Sequence, residues 1–187
     1  MPRSVFTLLM LGILCASRAA NAVTLIQGFN QATIPTGWTI SNATPVAYVT
    51  DSTSPVAEPY EGTRFVRFGA ASGTKAQLIS PAMSTVGKTN TQVVFALFGI
   101  VGTLLDGVTL QYSTDGMAWK NVATYYRKDI PAGWNLITCN YPASTTNQPT
   151  LYIAFEFVSA SANGLCMDYV RVLNAQVSPP TSFTAVA

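Results

Sequence analysis

Histidine is absent from the 187 residues, and charge of either sign is scarce: Asp, Glu, Lys and Arg together make up 10%. Without histidine there is no Ser-His-Asp or Cys-His relay, no imidazole-ligated zinc and no histidine-held haem. The ten basic residues exceed the eight acidic ones by two. Arg3 and Arg18 fall in a leader segment, and without them the charges balance. A neutral chain has no electrostatic footprint for nucleic acid or for an anionic membrane surface. Cysteine is nearly missing too, with three in all. What is present is apolar: 49% hydrophobic residues suffice for one packed core and exclude wholesale disorder.

The N-terminus has the pattern of an export signal. Arg3 gives a positive start, residues 5–16 are apolar apart from Thr7 and Gly12, and Ala20-Asn21-Ala22 is an A-x-A cleavage site. The apolar run is too short to span a bilayer. Cys15 does not read as a lipidation site, because Leu14 stands where a small residue is required. The sequence therefore predicts a signal peptide over residues 1–22 and a secreted or cell-surface protein. One domain follows over 23–175, then a Pro/Ser/Thr linker or tail over 176–187 that resembles the start of a further module. Two cysteines remain after cleavage, Cys139 and Cys166. In an oxidising compartment they are either one disulfide or two buried thiols.

Strand periodicity runs through the domain. Val108, Leu110 and Tyr112 alternate with Thr109, Gln111 and Ser113. Leu151, Ile153, Phe155 and Phe157 alternate with Tyr152, Ala154 and Glu156. Residues 92–100 are apolar on both faces, as in a central strand. Turn signals separate the runs, among them Asp106-Gly107, Asp115-Gly116 and Asn163-Gly164. No segment has helical periodicity with caps. About ten short strands imply an all-β fold, a two-sheet antiparallel β-sandwich. The pentapeptides at residues 34–38 and 130–134 share the pattern Ile-Pro-x-Gly-Trp. They read as two turns that each deliver a tryptophan into a strand.

Several motifs, in order, carry a family resemblance. Gly28-Phe29-Asn30 precedes Ile34-Pro-Thr-Gly-Trp38; Gln77-Leu-Ile-Ser-Pro81 follows. Val108 to Trp119 has the form V-x-x-x-x-S-x-D-G-x-x-W, and Cys166-Met-Asp168-Tyr-Val170-Arg-Val172 closes the chain. Over roughly 25–174 the chain resembles the cleaved adhesin, or choice-of-anchor J, domains, bacterial relatives of the MAM-like jelly rolls with a galactose-binding-like sandwich. The resemblance implies a jelly roll, a non-catalytic surface role, core positions for Trp38 and Trp119, and a structural calcium. Its acidic ligands fall at the position of Asn30, which here is a neutral amide, and at Asp168.

The residues support part of this independently. Asp168 shares an alternating set with Cys166, Val170 and Val172, so it is expected to point inward, where a carboxylate must be paired or metal-bound. Asp51 and Glu61 are further calcium candidates, in loops able to reach the same end. The alternative to calcium is that backbone amides or an arginine hold Asp168. Tyr60, Tyr125 and Tyr126 are the candidate glycan-stacking residues. Catalysis has little support: Glu58 and Glu61 lie in a Pro/Gly loop, Asp106 and Asp115 read as turn residues, and no G-x-S-x-G occurs. Two function classes remain. One is a secreted, non-catalytic adhesion or binding module for an extracellular glycan or protein. The other is a self-assembling structural subunit of an extracellular fibre or surface layer.

Overall fold

The structure, a computed structural model, describes residues 21–43, 46–53, 56–69, 72–101, 105–160 and 164–175. Among these residues thirteen strands follow one another: β1 (Asn21–Gln27), β2 (Thr39–Ile40), β3 (Val46–Val49), β4 (Ser52–Thr53), β5 (Val56–Ala57), β6 (Phe65–Phe68) and β7 (Lys75–Ile79). Then come β8 (Gln92–Gly99), β9 (Gly107–Ser113), β10 (Lys120–Tyr126), β11 (Gly133–Asn140), β12 (Tyr152–Val158) and β13 (Leu165–Ala175). Among the described residues the only helix is two 3-10 turns, Arg127–Asp129 and Ala143–Thr145. The predicted leader lies outside the described residues except for Asn21 and Ala22, which open β1. The predicted tail lies outside them entirely.

Two antiparallel sheets form the layers. Sheet A runs β11-β8-β13-β6-β3, with β1 also paired to β13; sheet B runs β10-β9-β12-β7-β2. From β6 onward the chain changes sheet at every connection except the β9–β10 hairpin, which is a jelly-roll sandwich. The alternation read from sequence decides what lies between the layers. Leu110, Tyr112, Ile153, Phe155 and Phe157 of sheet B meet Val93, Phe95, Leu97, Met167 and Val172 of sheet A. Phe95 packs edge-on against Phe155, with ring centroids 5.5 Å apart. Burying one such side chain contributes about 1.5–3 kcal/mol.

The paired pentapeptides are turns, as expected. Gly37 and Gly133 take φ of +81° and +92°, values that side-chain-bearing residues resist. The tryptophans then part company. Trp38 enters the main core beside Phe29, whereas Trp134 lies outside sheet A. There Trp134, Phe98 and Val49 pack on a second cluster of Ala57, Phe65 and Cys166.

Strand β13 departs from the expected alternation. Leu165 and Met167 face the main core, and Cys166 belongs to the outer cluster. Between Asp168 and Arg171 the register against β8 shifts, with Tyr169 at φ +57°. This is a β-bulge, with two residues of β13 opposing one of β8, and it inverts the phase. Val170 and Val172 therefore face the core while Asp168, fully buried, faces the opposite side. The expectation that Asp168 shares a face with Val170 and Val172 is corrected by that bulge. What buries Asp168 is the loop over residues 58–61.

Candidate functional site

Three of the four calcium candidates meet at the bulge. A Cβ on Gly28 would come 3.1 Å from Asn30 Nδ2 and 3.2 Å from Glu61 Oε1, so these side chains share one small space. Asp168 Oδ2 accepts the N–H groups of Tyr60 (3.1 Å) and Glu61 (3.0 Å), and its Oδ1 accepts that of Tyr169 (2.7 Å). Asn30 Oδ1 accepts the Thr63 N–H at 2.6 Å. Arg171 Nη2 donates to both Glu61 oxygens, at 2.9 and 3.1 Å, and its guanidinium stacks on the Tyr169 ring at 3.9 Å. Burial raises the Asp168 carboxyl to about 6; the three amides oppose this, and the nearby Glu61 charge adds to it.

Calcium takes six to eight oxygens. Here each candidate oxygen donor already has an N–H or guanidinium partner, and among the described residues no three acidic or thiol side chains gather. The donor set does not fit calcium in this arrangement. It matches the alternative left open by the sequence: amides hold Asp168, and the cation beside Glu61 is Arg171. Asp51 does not join the group; with Val49, Ser52 and Arg67 it lines a recess of about 190 Å³ of its own.

Cys139 and Cys166 are two buried thiols. Cys139 lies opposite Val93 of β8, and Val93 on its other side faces Val172 of β13. Cys166 is therefore two strand spacings away and about 20 Å further along β13, whereas a disulfide needs Cα atoms within about 7 Å. Burial pushes the Cys166 thiol up to about 12, so it is unreactive as well. Reductant should leave the melting temperature unchanged, and a drop of several degrees would reveal a bridge.

The outer face of sheet B was not singled out from the sequence, yet it gathers the most polar chemistry. Gln77 of β7, Gln111 of β9, Asn121 of β10 and Glu156 of β12 project from it. Gln77 Nε2 donates to Gln111 Oε1 (2.7 Å), and Gln111 Nε2 donates to Asn121 Oδ1 (2.9 Å) and Glu156 Oε2 (2.8 Å). This bonding fixes the orientation of the amides. With Ser41, Lys75, Ala76 and Trp119, three of these four side chains (Gln77, Gln111 and Glu156) line a cavity of about 340 Å³. Trp119, expected in the core, is instead the half-buried wall of that cavity. The signal for this face was the polar half of each alternating strand, which points outward by default and so carried no warning.

The three candidate tyrosines do not form one platform. Tyr125 faces the core, its ring 5.7 Å from that of Phe95, and burial lifts its hydroxyl to about 12. Tyr60 lies over sheet A, edge-on to Trp134 and Tyr169. Only Tyr126 reaches the outer face of sheet B. Catalytic groups are no better placed. Ser113 Oγ lies 2.8 Å from Asp115, but the N–H groups of Ala118 and Met117 and the Ser113 hydroxyl hold that carboxyl at about 2. So weak a base does not activate a hydroxyl. Asp106, read as a turn residue, is fully buried and paired with Arg127 at 3.0 Å.

No family model and no curated protein matches the chain. Solved structures do. The K1 cleaved adhesin domain of Lys-gingipain from Porphyromonas gingivalis is 15% identical, with TM-score 0.59 over 81% of this chain and 98% of that one. The CBM22-1 xylan-binding domain of Paenibacillus barcinonensis Xyn10C is 14% identical, with TM-score 0.55 over 87% and 100%. TmCBM61, solved with β-1,4-galactotriose, is 15% identical, with TM-score 0.57 over 79% and 94%. At such identities the likeness establishes the fold alone. The chain has the jelly-roll β-sandwich fold found in the cleaved adhesin domains, which its ordered sequence motifs resemble.

Proposed function

We propose that this chain is a secreted, non-catalytic module that binds an extracellular glycan on the outer face of sheet B. The observation that carries the reading is the row Gln77–Gln111–Asn121 with Glu156, set beside Trp119. Sugars present paired hydroxyls, each a donor and an acceptor, above apolar C–H faces. Amides and a carboxylate fixed by mutual hydrogen bonds meet the hydroxyls without losing rotamer freedom on binding. An indole wall covers a C–H face at little entropic cost. Glycan binding by the xylan-binding domain and by TmCBM61 supports the reading by analogy of fold. Export follows from the leader pattern at residues 1–22.

A glycan array should return at least one ligand for the wild-type chain. For that ligand Trp119→Ala is expected to weaken binding at least tenfold, about 1.4 kcal/mol, and Gln111→Ala similarly, while Tyr60→Ala leaves it unchanged. Binding that survives both sheet B substitutions but is lost with Tyr60→Ala would move the site to sheet A.

One observation favours self-assembly as the second reading. Strand β11 is an edge of sheet A, eight residues long and without a charged side chain, and Leu136 on it is exposed. Such an edge lacks the usual protection against pairing with another chain. Filaments or large oligomers of purified protein, abolished by Leu136→Lys, would support this reading over the first.

A further inference from the structure

A second cavity of about 290 Å³ opens on the same face, lined by Leu105, Gly107, Thr109, Thr124, Tyr126, Val158 and Ala160. Its chemistry differs from that of the amide row. Gly107 lies opposite Tyr126 across the β9–β10 hairpin. A Cβ on Gly107 would sit 2.9 Å from Tyr126 Cδ1 and 3.4 Å from Cε1. The tyrosine ring therefore lies across the glycine, with its Cδ1–Cε1 side in the space that a side chain there would fill. The residue is 38% exposed, with the Lys128 ammonium over its ring, 5.9 Å from the centroid. Leu105, 53% exposed, Val158 and Ala160 supply an apolar margin. The polar groups in the cavity lining are the Thr109 and Thr124 hydroxyls, 2.9 Å apart, and the Tyr126 hydroxyl.

The two cavities are neighbours. Glu156 lies opposite Thr109, and Val158 opposite Gly107, so the amide row and the apolar recess follow each other along β9 and β12. Gln111 to Gly107 spans about 14 Å of strand, the reach of a short oligosaccharide. A purely hydroxylated sugar is poorly matched to an apolar recess, because each hydroxyl desolvated there without a partner costs about 1–3 kcal/mol. An acetamido group suits it: its methyl fills the margin of Leu105, Val158 and Ala160, and its amide meets the threonine hydroxyls.

Resting on the glycan-binding reading above, we propose that the recess is a subsite for an N-acetylhexosamine unit, and that the ligand is an oligosaccharide with this unit adjacent to one held by the amide row. The sugar ring packs on Tyr126, displacing the flexible Lys128 side chain from over it, and Gly107 leaves the room that the tyrosine ring occupies.

The test is calorimetric titration of the full chain with matched disaccharides: N,N′-diacetylchitobiose against cellobiose, and N-acetyllactosamine against lactose. In at least one pair the acetamido member should bind ten times or more tighter than its hydroxyl counterpart. Tyr126→Ala should bring that pair to within twofold. Leu105→Ser, at a half-exposed position, should narrow it too and serves if the tyrosine variant fails to fold. Gln111→Ala should weaken both members alike. Equal affinities within both pairs, or a preference that survives Tyr126→Ala and Leu105→Ser, overturn the acetamido subsite and leave the sheet B reading standing. Binding indifferent to Gln111→Ala and Trp119→Ala overturns both, as does binding of none of the four at millimolar concentration together with an empty glycan array.

Discussion

Replacing Arg127 by Met should lower the unfolding free energy by about 3–5 kcal/mol in a urea titration, among the largest effects of any single substitution in this domain. Arg127 and Asp106 are both buried, with Nη2 and Oδ2 3.0 Å apart. Arg127 Nη1 also donates to the Gly164 carbonyl at 2.7 Å, while Asp106 Oδ1 accepts the Ser159 hydroxyl (3.2 Å) and the Ala160 N–H (2.9 Å). The pair thus ties the start of β9, the end of β10, the exit from β12 and the approach to β13. Removing the guanidinium strands a carboxylate out of water. Removing both charges need not be costly, since a well-packed apolar pair can replace a buried ion pair at little loss. Arg127→Met with Asp106→Leu should therefore recover much of the single-variant loss. A loss below about 1 kcal/mol for Arg127→Met would show that water reaches the carboxylate. Leu105 precedes Asp106 in the sequence, the Ala160 N–H bonds its carboxylate, and both residues line the apolar recess, so the single variant should also blunt binding at the proposed subsite.

Acidification should favour the folded state at Asp168, the reverse of ordinary carboxylate behaviour. The usual case is a native carboxyl held below its unfolded value, whose stabilisation is lost as pH falls. Here burial holds the folded value at about 6 against an ordinary 3.8. The native state therefore binds the proton more tightly, and Asp168 costs stability while ionised above pH 6. That cost is relieved as pH falls from 6 towards 3.8, by at most about 3 kcal/mol. Groups such as Asp115, held at about 2, follow the usual pattern, so the informative quantity is wild type minus Asp168→Asn. That difference should move in favour of wild type between pH 7 and pH 4. Chelator should leave both melting temperatures unchanged. A bound calcium would instead hold the carboxyl low, reverse the slope, and make melting sensitive to chelator.

The fold was legible because two-residue alternation is a local property. Val108 to Ser113 and Leu151 to Phe157 declare their inner faces wherever they are placed, and positive-φ turns at Gly37 and Gly133 follow from the residue type. The end of the chain misled for a physical reason. A bulge is one extra residue with no compositional mark, and Tyr169 is not a residue type that announces a left-handed backbone. The phase inversion moved Asp168 from the sandwich interior to beneath a loop. The pairing of Asp106 with Arg127 was hidden because Asp-Gly ordinarily marks a turn. Partners distant in sequence, such as Gln77 and Gln111, acquire meaning only once β12 is inserted between β7 and β9. Tyr125 and Tyr126 are adjacent, and one position of phase sends the first into the core and the second onto the surface.

The pairing of β1 with β13 has a mechanical consequence. Val23, the first residue after the predicted cleavage site, lies opposite Leu173 in an antiparallel ladder, so the two ends of the described domain sit side by side at one corner of sheet A. Tension applied through these two points acts across the strands rather than along them. It loads the ladder one rung at a time, starting with Val23–Leu173, instead of loading all rungs in parallel as a shear geometry would. Pulled in this way, β1 should peel from β13 at low force and re-zip when the load drops, with the jelly roll behind it intact.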